Sequence, residues 1–249
     1  MNAASIPAVP HLAFMNPADP LVSRYVECEG VIPQLHTFAK QHEYNVVLKP
    51  LRGTGGEGVI HARNGKQLEA AVLKLFSKDY ALAISPFKVV KDEFRVVLLN
   101  GSVRLTYRKD RISVTGNGLH TVQELMAIEM AKSARPHQLA HAMLGLSERD
   151  LEHCVETGVR HPVQWKHNLG LGAEAEVVEY AEIGALAVRA AKSLNMNFCS
   201  VDIIEVDGEG LMVLEVNSGV MMDSFLSSSE DNWKIAKSIY TDAILSLFG

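Results

Sequence analysis

Three oxygen-bearing side chains, Asp202, Glu215 and Asn217, fall within the segment VDIIEVDGEGLMVLEVNSG, residues 201–219. Two apolar runs, VDII and LMVLEV, flank the turn pair Asp207-Gly208, which predicts a β-hairpin. Side chains alternate faces along a strand, so Glu215 and Asn217 are expected to share a face with Leu211 and Val213. A connecting loop of two or four residues would bring Asp202 to that face, opposite Glu215 or one diagonal step away. An unpaired carboxylate on an apolar hairpin is costly. Mg²⁺, a hard cation that takes oxygen ligands and keeps positions for water and phosphate, would neutralise it. A polar strand end exposed to solvent is the competing reading.

A second chemically suggestive stretch is NVVLKPLRGTGGEGVIHAR, residues 45–63. Gly53, Gly55, Gly56 and Gly58 stand between two β-type runs, and Lys49 closes the first run. Glycines let backbone N–H groups approach a phosphate closely, and a strand-end lysine adds a compact cation. The segment lacks the GK[ST] ending of a Walker loop and no helix follows at once. It reads as a flap hinged between two strands, or as a glycine-rich hairpin loop with no ligand. Arg95 lies inside the apolar strand EFRVVLL and shares a face with Glu93. A buried arginine needs a carboxylate or phosphate partner, so an internal Glu93–Arg95 pair and a ligand role stand level. Lys166 and Asn168 precede Gly170 and Gly172 in a further polar, glycine-containing segment.

These residues must be positioned by a mixed set of elements. The apolar spacing predicts amphipathic helices over residues 64–79 and 180–195, and a closing helix over 229–247 with Trp233, Ile235, Ile239, Ile244 and Leu247 as its apolar set. YALAIS and EFRVVLL read as strands, and Asn100-Gly101 as a hairpin turn into SVRLTYRK. The basic run Arg104, Arg108, Lys109 and Arg111 reads as a solvated face. Thr121, with Glu124 three residues on, predicts a capping box. LSERDLEHCVETG reads as one short helix, and residues 1–20, with four prolines, as an extended lead-in. The histidines at 137, 141 and 153 match no ligand spacing.

The 249 residues suffice for one large domain or two small ones, and 47% apolar content provides a core. A net charge of −5 argues against non-specific nucleic-acid binding. Three scattered cysteines support neither a disulfide framework nor a zinc site. No apolar run approaches the roughly 18 residues of a membrane span, and the N-terminus lacks a basic signal region. The sequence therefore predicts a soluble cytoplasmic protein without a membrane or nucleic-acid partner.

The order of motifs resembles the ATP-grasp superfamily of carboxylate–amine ligases. Strand-Lys-Pro, glycine loop, strand, helix, strand, connector, strand with Arg, and Asp…Glu-x-Asn hairpin follow one another over residues 45–225. DEFRVVLLNGSVRLTYRKDRISVTGNGLHTVQEL is most similar to cyanophycin synthetase and the glutathione-synthesising ligases, and KHNLGLGAEAEVV to their phosphate-side segment. The resemblance implies an α+β fold with two subdomains, built on mainly antiparallel sheets, that grip a nucleotide. Its divisions would be a reduced N-terminal lead-in over 1–44, a glycine-loop subdomain over 45–88 and a metal-hairpin subdomain over 89–249. It implies that Lys49 and Gly53, Gly55, Gly56 and Gly58 hold ATP phosphates. Phe87, Lys88 and Val89 would line the adenine pocket, with Glu93 towards the ribose or the adenine-side network. Arg95 would face the transferring phosphate or the activated carboxylate, and Lys166 and Asn168 would lie near the phosphates. Asp202, Glu215 and Asn217 would hold one or two Mg²⁺ ions. The implied chemistry passes the γ-phosphoryl of ATP to a substrate carboxylate. An amine then displaces phosphate from that acyl phosphate, so positioning and cationic charge replace a protein nucleophile.

Two departures mark this chain. Residues 1–44 are too few for a full pre-ATP-grasp domain, and Lys40 is poorly placed for that domain's lysine. Ser85-Pro86-Phe87 stands where the family connector carries a nucleotide-binding Glu. The expected function is an ATP- and Mg²⁺-dependent ligase of amino acids or small peptides in specialised metabolism, with homodimerisation compatible with the short N-terminal part. A non-catalytic or partner-dependent nucleotide-binding module and an ATP-grasp phosphotransferase are the alternatives.

Overall fold

Local turn chemistry and hydrophobic periodicity build the chain into two compact units, Ala8–Val89 and Met1–Pro7 with Val90–Gly249. The computed structural model describes residues 5–20, 31–52, 56–133, 136–143, 146–167, 169, 174–226 and 229–248.

In the first unit the order is β1 (Leu12–Met15), α1 (Val31–Gln41), β2 (Val46–Pro50), β3 (Ile60–Ala62), α2 (Gly65–Phe76) and β4 (Ala81–Pro86). The four strands form one antiparallel sheet in the order β1-β4-β2-β3. The proline-rich lead-in thus contributes an edge strand, because Leu12–Met15 pairs with Ala81–Ile84. The helix α2 forms because Leu68, Ala71, Val72 and Leu75 recur at helical spacing and all are buried. Its N-terminus is capped by Asn64, whose side chain accepts from the Gln67 amide. Leu35 and Phe38 of α1 join the same core with Leu48, Leu82 and Ile84.

The second unit contains β5 (Val90–Leu99), β6 (Ser102–Lys109), β7 (Ser113–Thr115), α3 (Val122–Lys132), α4 (Pro136–Met143), α5 (Glu148–Leu151), β8 (Arg160–Pro162), β9 (Ala175–Val177), α6 (Ala181–Ser193), β10 (Phe198–Val206), β11 (Gly210–Asn217), α7 (Asp223–Leu226) and α8 (Glu230–Leu245). An antiparallel sheet runs β11-β10-β5-β6-β9, with a small β7-β8 pair beside it. Asn100 and Gly101 take φ values of 51° and 75°, as the tight β5–β6 turn requires. Thr121 and Glu124 form the expected reciprocal capping box. On one side of the sheet, Val97, Leu105 and Tyr107 pack with Phe225 of α7 and Ala236 and Ile239 of α8. The Tyr107 and Phe225 rings stack 4.8 Å apart. The apolar stripe of α6, including Ile183, Leu186 and Ala190, is buried and contacts β5 and β10.

Three expectations are corrected here. The segment around LSERDLEHCVETG is helical only over Glu148–Leu151, where Ser147 and Asp150 form a capping box. In α8 only Ala236 and Ile239 are buried, while Trp233 and Ile244 are exposed and Leu247, just beyond the helix, is exposed too. The hairpin β10–β11 has a three-residue loop, since Val206 pairs with Gly210. An odd loop would place Asp202 opposite Leu214. A β-bulge at Leu214 restores the pairing, with Ile203 opposite Val213 and Asp202 opposite Glu215. The extra residue also reverses the side-chain alternation. Glu215 and Asn217 therefore share the face of Asp202 and not that of Val213.

Candidate active site

Register on three adjacent strands gathers the charges. Arg95 on β5 pairs with Asp202 on β10 and with Tyr107 on β6, and Glu93 pairs with Lys109. Cross-strand partners share a face, so these five side chains occupy one patch of the sheet. Arg95 donates to Asp202 twice, Nε to Oδ1 at 2.8 Å and Nη2 to Oδ2 at 2.7 Å. Lys109 Nζ donates to Asp202 Oδ1 at 2.8 Å and to Glu93 Oε1 at 2.6 Å. Asp202 is 2% exposed and Lys109 6%. Arg95 thus takes Asp202 as its partner, and Glu93 takes Lys109.

Burial opposes charge on Asp202, Lys109 and Arg95, and mutual attraction overrules it. Burial alone would raise the Asp202 pKa, but the Lys109 charge and the Arg95 hydrogen bond hold it well below the usual carboxylate value. Burial alone would lower Lys109, yet the Asp202 and Glu93 carboxylates push it up to about 12. Arg95 is likewise raised, the hydrogen bond to Asp202 outweighing desolvation. Burial raises the Tyr107 phenol. Arg95, Lys109 and Asp202 therefore hold fixed charges at neutral pH, a preorganised electrostatic environment rather than a proton relay.

Beside this patch lies the oxygen set read from the sequence. Glu215 stands opposite Asp202, and Asn217 Nδ2 donates to Glu215 Oε1 at 3.1 Å. Asn217 pairs in register with Ser200, whose Oγ is buried and has no hydrogen-bond partner among the described residues. An orphaned hydroxyl, an amide and two carboxylates on one face fit a hard cation such as Mg²⁺. No group of three or more His, Cys, Asp or Glu able to hold a metal occurs among the described residues, so the amide and hydroxyl oxygens would complete the set.

Lys166 lies in the same unit, its Nζ 5.5 Å from the centre of the Trp165 ring, and burial lowers its pKa. Asn168 lies outside the described residues. Between them is His167, 8% exposed, with Nδ1 donating to the Lys109 backbone carbonyl at 2.7 Å. Its Nε2 is buried with no hydrogen-bond partner among the described residues, and burial lowers its pKa.

The remaining predicted residues belong to the Ala8–Val89 unit. Lys49 is half-buried on β2, opposite Ala83. Gly56 and Gly58 take φ values of 71° and 72° between β2 and β3. A Cβ on Gly58 would meet Pro50 Cδ at 3.1 Å, so both the φ and the space favour glycine. Gly53 and Gly55 lie outside the described residues. Phe87 stacks on His61 at 3.9 Å with planes 3° apart, and His61 Nε2 lies 2.6 Å from Asn45 Oδ1. Lys88 is half-buried and Val89 is 66% exposed.

The sequence reading did not find Lys109, Tyr107, Ser200, His167 or His61. For Lys109 a signal existed. Strand alternation puts Lys109 on the face of Leu105 and Tyr107, which contradicts a solvated basic run.

Two α+β units, each built on an antiparallel sheet, are features of the ATP-grasp fold. The chain shares its fold with the D-alanine–D-alanine ligase of Bacillus anthracis, at a TM-score of 0.57 and 13% identity, over 98% of this chain and 63% of that one. The ATP-grasp ligase PsnB, in complex with the precursor peptide PsnA2 and AMPPNP, matches at a TM-score of 0.50 and 16% identity, over 92% and 50%. Residues 155–240 match the RimK-like ATP-grasp domain. The bifunctional glutathione biosynthesis protein GshAB of Listeria monocytogenes is 25% identical over 210 residues, 74% of this chain and 26% of that protein. GshAB of Enterococcus faecalis is 24% identical over 179 residues, 65% and 24%. This chain has the ATP-grasp fold. It spans about a quarter of the length of the curated relatives it matches.

Proposed function

We propose that the chain is an ATP-dependent carboxylate–amine ligase that works through an acyl phosphate on amino-acid or small-peptide substrates. The observation that carries this reading is the shared face of Asp202, Glu215 and Asn217, set against the half-buried Arg95 and the buried Lys109. One or two Mg²⁺ ions held by the oxygen set would draw off charge developing on the transferring phosphoryl group. Arg95, fixed by two hydrogen bonds to Asp202, would present its remaining guanidinium edge to the phosphate or the activated carboxylate. Lys49 and the glycine loop would hold the nucleotide phosphates, with Phe87, Lys88 and Val89 at the base and Glu93 towards the ribose. Lys166 and Asn168 would serve the phosphate side. The glutathione biosynthesis relatives support amino-acid-sized acids and amines as substrates.

The test is Mg²⁺-dependent ADP release against amino acids and short peptides, singly and in pairs. Release that requires one particular acid together with one particular amine establishes the ligase. Release with an acid alone identifies a phosphotransferase instead. ATP binding without any release identifies a nucleotide-binding module.

A further inference from the structure

Asp202 is the carboxylate that the metal reading needs, and two cations already hold it. Oδ1 accepts from both Arg95 Nε and Lys109 Nζ, and Oδ2 accepts from Arg95 Nη2. Arg95, Lys109, Asp202 and Glu93 are neutral as a group, and Lys109 and Asp202 are almost fully buried. A divalent ion arriving alone on Asp202 would add two positive charges to this neutral patch, of which Glu215 across the strand would offset one. Nucleotide phosphates arriving with the ion would supply the missing negative charge. They would also offer Lys109 a second anion in place of Asp202. Lysine suits this exchange, being a point charge on a flexible stem, whereas Arg95 is locked by two parallel bonds.

We infer that Lys109 is a gating cation: by holding Asp202 Oδ1 it makes divalent-metal binding at Asp202, Glu215 and Asn217 conditional on nucleotide. This rests on the metal-site reading given under the proposed function. Its consequence is an order of loading, in which the metal enters with the nucleotide and never ahead of it.

The probe is Mn²⁺, with the free ion followed by electron paramagnetic resonance on the whole chain, with and without ADP. Lys109→Met should bind Mn²⁺ without ADP at least about tenfold more tightly than the unsubstituted chain. Lys109→Arg, which keeps the charge, should stay close to the unsubstituted chain. Lys109→Gln keeps a donor for Asp202, guards against loss of the fold, and should follow Lys109→Met. Equal nucleotide-free affinity in Lys109→Met, Lys109→Gln and the unsubstituted chain would overturn the gate, provided Glu215→Ala removes the ADP-dependent binding. If the unsubstituted chain binds no Mn²⁺ even with ADP, the metal site itself fails and the gate falls with it.

Discussion

Arg95 and Asp202 stand directly opposite on neighbouring strands and are joined by two hydrogen bonds of 2.8 and 2.7 Å. Planar guanidinium and planar carboxylate meet edge to edge, which fixes distance and orientation together. Lys109 then completes the carboxylate from the side of β6. The β5–β6 hairpin and the sequence-distant strand β10 are thereby tied at one point.

Removing that charge should be costly. Asp202→Asn leaves Arg95 and Lys109 with a neutral acceptor and only Glu93 as a counter-ion, so a loss of about 3–5 kcal/mol is expected. Urea denaturation checks this. In the double variant with Lys109→Met, part of the loss should return, because one uncompensated cation has gone.

The same cluster predicts stability that fails at both extremes of pH. Lys109 is raised in the fold, so its contribution is complete below the ordinary value of 10.5 and is lost as pH rises through about 12. Asp202 is depressed, so its contribution is complete above the ordinary value of 3.8 and is lost as pH falls below it. Thermal melts should decline between pH 10.5 and about 12 in the unsubstituted chain, and Lys109→Met should lose the lysine-dependent part of that decline.

Glu215 is half-buried on β11, where it accepts a hydrogen bond from Asn217 Nδ2. Glu215→Ala should abolish Mg²⁺-dependent ADP release, a drop of at least about 100-fold, while shifting stability by no more than about 1 kcal/mol. Coupled ADP assays alongside circular-dichroism melts separate the two effects. Global unfolding would make Glu215 structural.

Phe225 is fully buried and stacked on Tyr107, which pairs with Arg95. Phe225→Ala should cost about 3–5 kcal/mol by opening a cavity beneath the charged patch. Chemical denaturation reads the loss, and Phe225→Leu should recover much of it.

What the sequence revealed is what local physics determines. Asp207-Gly208 and Asn100-Gly101 mark hairpins, and Leu68 to Leu75 mark a helix, because turn chemistry and periodicity act within a few residues. The bulge at Leu214 was not legible, since no glycine or proline announces it and the sheet's register decides it. Lys109 was hidden because three neighbouring basic residues suggest solvent, whereas two carboxylates from β5 and β10 draw it inside. The apolar residues of α8 overstate its burial, as only the turn around Ala236 and Ile239 meets the sheet. His167 carried no local signal, being buried by contact with a strand nearly sixty residues earlier.

The bulge at Leu214 also separates the hairpin's tip from its mouth. Because one residue stands outside the ladder, the number of positions between Asp202 and Glu215 does not by itself say which of them face each other. An insertion of one residue at the Asp207–Glu209 tip could be matched by deletion of Leu214, with the carboxylates still opposed. Alignments that score ungapped spacing across this hairpin would count such chains as dissimilar although their mouths superimpose.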